Sequence, residues 1–249
     1  MKDRKALVMG GLFMMIIVGL VYSDGARDFI ESGDRKAKLY DYEKALLDYK
    51  EAVKLDPQNA EANWKVGWAH NRLALNSTGE TRNYHFSEAS NALSRAINID
   101  KSIAYAHVEL ARSLVYSGLL KDNWDSYTLA KRVKEELDYA LKLDPKLADA
   151  YFLLGLWHRQ VSRRPYLWRR PLGLGEANKD DELKNLKRAV ELEPNRIEFL
   201  LELGKSYIDR NDNSNARVVL KNIETIQPRD PYERILRDEG LKLLSRISQ

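Results

Sequence analysis

The chain has 249 residues, of which 44% are apolar, and its 41 basic residues nearly balance 37 acidic ones, leaving a formal net charge of +4. This apolar content is that of a folded protein, and the near balance of charge argues against a nucleic-acid partner, which favours a strongly basic surface. Cysteine is absent, which excludes disulfides, thiolate metal sites and cysteine nucleophiles.

The first 23 residues differ from the rest of the chain. Lys2, Arg4 and Lys5 precede an uncharged apolar run over 6–22, a layout typical of a secretion signal. Cleavage after Ser23 would remove this segment as a signal peptide, whereas retention would make 6–22 an N-terminal membrane anchor, and the length of the run fits both. We therefore expect the remainder to be exported to a bacterial periplasm or cell envelope, either released or anchored to the membrane.

Five later segments share one amphipathic pattern that ends at an Asp-Pro-like stop. They cover residues 41–57, 87–101, 131–145, 181–194 and 214–228. Apolar residues three and four apart predict helices, and a proline cannot continue a helix. Each stop therefore predicts a turn into the next helix.

Each stop except the last leads into another helical segment with a small residue near its centre. These small residues are Gly67, Ala111, Gly155 and Gly204, and Gly33 takes the corresponding place before the first stop. A small side chain is needed where two helices pack closely. For the same reason we expect Ala45 and Ala52 to lie where helices cross.

The pattern resembles the tetratricopeptide repeat (TPR), a pair of helices with an apolar-Gly pair and an aromatic residue on the first and Ala, an aromatic and Pro on the second. The last unit matches through Leu203, Gly204, Tyr207, Ala216, Leu220 and Pro228. The resemblance implies an all-α superhelical array of antiparallel helix pairs, an α-solenoid. We count five units and a C-terminal capping helix, at 26–59, 60–103, 104–147, 148–196, 197–230 and 231–249.

The middle three units depart from the pattern. They carry extra residues between their helices near 75–86, at 119–128 and at 162–179. Insertions in a solenoid loop out on one rim and often contact a partner. The fourth unit also has Glu182 where a small Ala is usual, which puts its packing there in question.

The fourth unit also carries a Gly-x-Trp helix followed by a Trp-Arg pair. The residues are Gly155, Trp157, Val161, Trp168 and Arg169. They resemble the regulator of microtubule dynamics family, although the spacing to Trp168 and the proline-rich loop depart from the family pattern. Some members of that family carry an N-terminal membrane anchor. The resemblance implies no microtubule function, because a bacterial chain would have no microtubule to bind.

The sequence contains no catalytic constellation. His70 and His158 fall in the aromatic slot of their helices, and His85 and His107 lie elsewhere; scattered histidines favour packing over a metal site. The fragment GLGE at 173–176 lacks the strand and the Lys-Ser/Thr of a phosphate-binding loop. We expect no enzyme activity, no metal, no cofactor and no small-molecule substrate.

One candidate binding surface is the concave groove, which the first helix of each unit lines in such arrays. Helical spacing places on or near it Trp64, Trp68, Arg72, Tyr105, Arg112, Tyr116, Phe152, Arg159 and Lys205. Aromatic and Arg residues dominate binding hot spots, and part of this set is expected to be inter-repeat core. The best-known TPR groove clamps acidic chaperone tails with Lys and Asn, and two tryptophans at those places argue against that clamp.

The other candidate is an arginine-rich loop over 162–172. Its residues are Arg163, Arg164, Trp168, Arg169 and Arg170. Arginines beside aromatic rings can bind anionic lipid or an acidic partner. The alternative is a structural loop in which Trp168 plugs the solenoid and the arginines pair with neighbouring carboxylates.

These features favour a non-enzymatic scaffold or assembly adaptor that binds a protein or peptide partner. The alternative is a membrane-associated adaptor that uses the arginine-rich loop, or a protein like the regulators of microtubule dynamics.

Overall fold

A computed structural model describes residues 25–120 and 127–247. Within these ranges the regular secondary structure is helical, without strands, which confirms the predicted all-α class. None of the helices there has the length and apolar character needed to cross a membrane. The predicted signal or anchor over 1–23, and the centre of the insertion at 119–128, lie outside the described residues.

The helices pair in chain order, followed by a C-terminal helix. The pairs are α1 (25–38) with α2 (Tyr42–Leu55), α3 (Ala60–Leu75) with α4 (Gly79–Ile99), α5 (Ala104–Leu120) with α6 (Tyr127–Leu143), α7 (Ala148–Ser162) with α9 (Lys179–Leu192), and α10 (Ile197–Ile208) with α11 (Asn213–Lys221). Between α7 and α9 lie the short α8 (Tyr166–Arg169) and a 3-10 turn (Arg170–Leu172). A second 3-10 turn (Asn222–Thr225) precedes α12 (Pro231–Ile247), which packs on α10 and α11.

The aspartates of the predicted stops build the turns between units. Asp56, Asp100 and Asp144 each accept, through Oδ1, the backbone N–H two residues further on, at 3.1, 2.8 and 2.8 Å. A side chain that satisfies the backbone in this way competes with continued helix. The stop is therefore a local property of the aspartate as well as of the proline.

The helices of a pair cross at the small residues, as the sequence predicts. A Cβ atom added at Gly67 would lie 2.4 Å from Leu93 Cγ, and one added at Gly155 would lie 2.7 Å from Leu186 Cδ2. Carbon atoms do not approach so closely, so a larger residue at either position would force the facing leucine or the helices to shift. Ala45 and Ala52 are both fully buried.

Two expectations about the middle units need correction. The stretch 75–86 was predicted as an insertion that loops out, but α4 begins at Gly79 and has 21 residues, against 14 in α2. The extra residues therefore lengthen the second helix. Glu182, which stands where Ala is usual, is buried and accepts Arg159 Nε at 2.6 Å. A buried ion pair thus replaces the small side chain.

The array curls until its C-terminal part meets its N-terminal units. The Tyr42 hydroxyl donates to Asp230 Oδ2 at 3.2 Å, and the backbone N–H of Tyr232 donates to Asn76 Oδ1 at 3.0 Å. The Tyr232 ring packs against the cluster that contains Leu75 and Phe86. Segment 229–233 therefore crosses the concave side and closes the groove into a cavity.

Candidate functional site

The concave side holds an open cavity of about 450 Å³, here named the concave cavity. Its walls come from α3, α5, α7 and α10, and its rim from segment 229–233 together with Tyr40 and Tyr42. A volume of this size falls within the range of ligand-binding pockets and accommodates a few residues of a peptide.

One wall of the concave cavity is aromatic. The rings of Trp64 and Tyr105 are nearly parallel, with an interplanar angle of 20° and centroids 6.1 Å apart, and Trp68 meets Tyr42 edge-on at 5.7 Å. Trp64 and Trp68 share a wall because residues four apart lie on one helical face. The Arg72 guanidinium lies 5.6 Å from the Trp68 ring. We call Tyr42, Trp64, Trp68 and Tyr105 the aromatic wall.

Beside the aromatic wall, three arginines face three carboxylates from four different helices or their caps. This charge cluster consists of Arg72, Arg112, Arg196, Glu109, Asp149 and Glu198. Arg72 Nη2 lies 2.9 Å from Glu109 Oε1, and Arg196 Nη2 lies 3.1 Å from Asp149 Oδ1. Arg112 is fully buried, pairs with Asp149, and lies 3.6 Å from Glu198 Oε2.

The charge cluster shifts the pKa of Asp149 and of Arg112. Burial raises the pKa of Asp149, but the guanidinium groups of Arg112 and Arg196 outweigh it and hold that pKa well below its ordinary value. Burial lowers the pKa of Arg112, whereas the carboxylates of Glu109 and Asp149 raise it well above the ordinary value. Asp149 and Arg112 therefore stay charged near neutral pH.

Asp230 differs from the other acidic residues of the cavity. Glu109, Asp149, Glu198 and Glu233 each have an arginine partner. Asp230 has no cationic partner among the residues that the structure describes; its carboxylate accepts the Tyr42 hydroxyl and, at 2.9 Å, the backbone N–H of Glu233. The concave cavity thus carries one uncompensated negative charge beside the aromatic wall.

The nine residues predicted for the groove fall into different surroundings. Trp64, Trp68, Arg72 and Tyr105 do line the concave cavity. Tyr116 is half-buried, and its hydroxyl donates to Glu198. Whether any of them binds a partner stays a prediction.

The predicted place of Arg112 and Phe152 on the groove surface is wrong. Both have no exposed area, and Phe152 stacks on Phe199 with ring centroids 4.7 Å apart. The curl of the array brings successive first helices together at these positions. Arg112 and Phe152 therefore belong to the core between successive repeats.

Arg159 and Lys205 lie apart from the concave cavity, in a second ion-pair group. Arg159 pairs with Glu182 and Glu202, and Lys205 Nζ lies 2.8 Å from both Glu202 Oε1 and Glu239 Oε1. Neither side chain lines the concave cavity. The structure therefore does not bring them together with the aromatic wall.

Sequence reasoning missed most of the cavity lining, since only four of the 17 lining residues belong to the predicted set. Tyr105, Asp149 and Glu198 each stand six residues before the small residue of their unit, a recurrence that could have marked a shared face. No local signal marks Asp230 or Tyr232. These two reach the concave cavity only through the curl of the whole array.

The arginine loop (162–172) keeps its aromatic residues outside. Trp168 is 67% exposed, so the prediction that it plugs the solenoid is wrong. The buried residue is Arg169, whose guanidinium donates to the carbonyl oxygens of Arg164, Leu174, Gly175 and Ala177 at 2.5–3.2 Å. Arg169 therefore holds the loop together and does not face a partner. Arg163, Arg164 and Arg170 are exposed.

The histidines pack between helices. His70 Nδ1 lies 2.8 Å from His85 Nδ1, and His158 Nδ1 accepts the Asn178 backbone N–H at 3.3 Å. Burial lowers the pKa of His70 to about 3. Across residues 25–120 and 127–247, no group of three or more His, Asp or Glu side chains is placed to hold a metal ion.

The paired helices, the small residues at their crossings and the concave cavity define a TPR-type α-solenoid. A thermophilic TPR protein from Thermus thermophilus has the same fold, with a TM-score of 0.63 and 18% identity, over 87% of this chain and 99% of that one. PilF of Pseudomonas aeruginosa aligns over 91% of this chain and 90% of its own, with a TM-score of 0.57 and 13% identity. At such identity the likeness concerns the fold alone.

The family follows from sequence comparison. The family model for regulator of microtubule dynamics protein 1-3 matches residues 29–248. The mouse regulator of microtubule dynamics protein 1 is 25% identical over 230 residues, covering 88% of this chain and 72% of the mouse protein. The bovine protein of the same name is 25% identical over 236 residues, covering 89% of this chain and 70% of its own. The chain belongs to the regulator of microtubule dynamics family, and both resemblances noted from the sequence are confirmed.

Proposed function

We propose that this chain is a non-catalytic interaction scaffold that binds a short peptide segment of a protein partner in the concave cavity. The observation that carries the proposal is the aromatic wall beside the uncompensated carboxylate of Asp230. Trp and Tyr are the residues that contribute most to binding hot spots, and a TPR-type fold is suited to extended concave binding surfaces.

The chemistry of the concave cavity favours a basic side chain on the bound segment. Aromatic faces attract an ammonium or guanidinium group by about 0.5–2 kcal/mol, depending on how far the pair is removed from water. Asp230 adds a full negative charge next to Tyr42. An acidic segment would instead be repelled by this carboxylate. This agrees with the sequence analysis, in which the two tryptophans argue against a clamp for acidic chaperone tails.

A peptide array probed with the full chain tests the proposal. Short peptides that differ only by Lys, Gln or Glu at one position should bind with affinities that decrease in that order. Trp64→Ala should weaken binding of the Lys peptides by about 30-fold, corresponding to about 2 kcal/mol. Asp230→Asn should remove the preference for Lys over Gln while keeping the cap of α12, because Asn also caps helices.

The matched control is Leu47→Ala, since Leu47 is 63% exposed on α2 and does not line the concave cavity. This variant should bind like the parent chain. Equal binding by the parent chain, Trp64→Ala and Leu47→Ala would contradict the assignment of the concave cavity.

We also propose that residues 1–23 direct the chain to a membrane, by export to a periplasm or cell envelope or by anchoring through 6–22. The support is the basic start followed by the apolar run. A fusion of residues 1–30 to a reporter that is active only after export should be active. The N-terminal residue of the mature protein then distinguishes cleavage after Ser23 from retention. An inactive, cytoplasmic reporter would contradict export.

A further inference from the structure

The arginine loop exposes an unusual set of large apolar side chains. Leu167 is 78% exposed, Trp168 67%, Tyr166 50% and Leu172 40%. Scattered exposed apolar residues are ordinary, but a contiguous group marks a surface that contacts another apolar phase. These four residues fall within seven consecutive positions of one short loop, and we call them the apolar group.

The loop presents these side chains on a fixed backbone. Arg169 donates to carbonyl oxygens on both sides of α8 and lies 5.4 Å from the Tyr166 ring centroid. Gly173, at φ 75°, ends the 3-10 turn in a conformation that favours glycine. The apolar group is therefore held outward by buried hydrogen bonds.

The surroundings of the apolar group are basic. Arg163, Arg164 and Arg170 are exposed around it, and residues 159–175 contain no Asp or Glu. The next acidic residue, Glu176, lies 3.3 Å from Lys134 Nζ. The exposed face of the loop therefore combines apolar tips with positive charge.

We propose that the arginine loop is a membrane-interface wedge that inserts Leu167 and Trp168 into an anionic bilayer surface. Tryptophan and leucine next to arginine are the composition of segments that lie at the lipid headgroup level, where the rings contact acyl chains and the guanidinium groups contact phosphate. An acidic protein surface would satisfy the arginines but would leave the apolar tips in water. The proposal is independent of the concave cavity.

The test exploits the absence of cysteine in the chain. Leu167→Cys in the full chain is labelled with an environment-sensitive fluorophore and mixed with vesicles of phosphatidylcholine, with or without phosphatidylserine. We expect a blue shift and an intensity gain on the phosphatidylserine vesicles. Leu47→Cys, at a site of similar exposure on α2, should show no shift. This control separates insertion of the loop from binding through residues 6–22.

A second set of variants tests the charge. In the Leu167→Cys chain, Arg163→Gln and Arg170→Gln should each weaken vesicle partitioning by about fivefold, since one basic residue near an anionic surface contributes about 1 kcal/mol. Raised salt should have the same effect. Circular dichroism checks that the variants keep their fold.

Four results would overturn the proposal. The emission of the label at position 167 could remain unchanged on phosphatidylserine vesicles, or the label at position 47 could show an equal shift. It could respond equally to both vesicle compositions, which removes the anionic requirement. It could respond to polyglutamate and not to vesicles, which would assign the loop to an acidic protein surface.

Discussion

Arg112 shows how the interior of this array accommodates charge. Its guanidinium is fully buried and faces Glu109, Asp149 and Glu198, which come from three first helices. Arg112→Ala would leave these carboxylates without their shared partner, so we expect the free energy of unfolding to fall by about 3–5 kcal/mol. Thermal denaturation followed by circular dichroism measures the loss. The exposed Arg163→Ala is the control, and equal melting temperatures for the two variants would contradict a structural role.

His70 gives the fold a dependence on pH. Burial lowers its pKa to about 3 in the folded chain, from the ordinary value of 6.5. As pH falls below 6.5 the unfolded chain takes up this proton first, so the stability from a neutral His70 is complete above that pH and decreases below it. Between pH 7 and 5.5 the decrease from this residue is about 1 kcal/mol. Urea denaturation at both pH values measures the free energy of unfolding, and His70→Asn should remove this pH-dependent loss. An equal loss between pH 7 and 5.5 in the parent chain and in His70→Asn would contradict the prediction.

At the scale of the element, the crossing of α7 and α9 depends on Gly155. A Cβ atom there would lie 2.7 Å from Leu186, so Gly155→Ala should destabilise the chain by roughly 1–3 kcal/mol through overpacking. Adding Leu186→Ala removes the clash, so the double mutant should lose less than the sum of the single losses. Denaturant unfolding measures all three variants.

Gly175→Ala is the matched control for this crossing. Its added Cβ would have its nearest neighbour at 3.5 Å, an ordinary contact. Additive losses for Gly155→Ala and Leu186→Ala would mean that the two helices do not meet at this point.

At the scale of the whole molecule, segment 229–233 joins the two ends of the array. Tyr232 bonds to Asn76 through its backbone and to Glu198 Oε1 at 3.0 Å through its hydroxyl. Tyr232→Ala removes the ring contacts, at a cost on the order of 3 kcal/mol. Amide hydrogen exchange in α12 should accelerate by about a hundredfold, whereas α7 should keep its rate. Ile235→Ala, at an exposed position of α12, should leave exchange unchanged; equal rates in both variants would argue against closure.

The sequence by itself determined the helices, their stops and their crossings, apart from the first turns of α4, which were predicted as a loop. Aspartate stops and helical periodicity act over a few residues, and the clash that demands glycine at Gly67 or Gly155 is set by the crossing of one helix pair. These are short-range effects, so they can be read from spacing alone. The TPR and regulator of microtubule dynamics resemblances rest on the same local patterns.

Only the tertiary structure decided which faces are buried and what the groove contains. Arg112 and Phe152 share the helical face predicted for the groove, yet the curl places both in the core. One of the two alternatives for the arginine loop placed Trp168 inside; the ring lies outside, and Arg169 makes the interior hydrogen bonds of the loop. The bond between Tyr42 and Asp230 joins residues 188 positions apart. These two residues come together because each repeat is rotated slightly relative to the one before it, and the rotations add up along the array. No local spacing in the sequence specifies this sum.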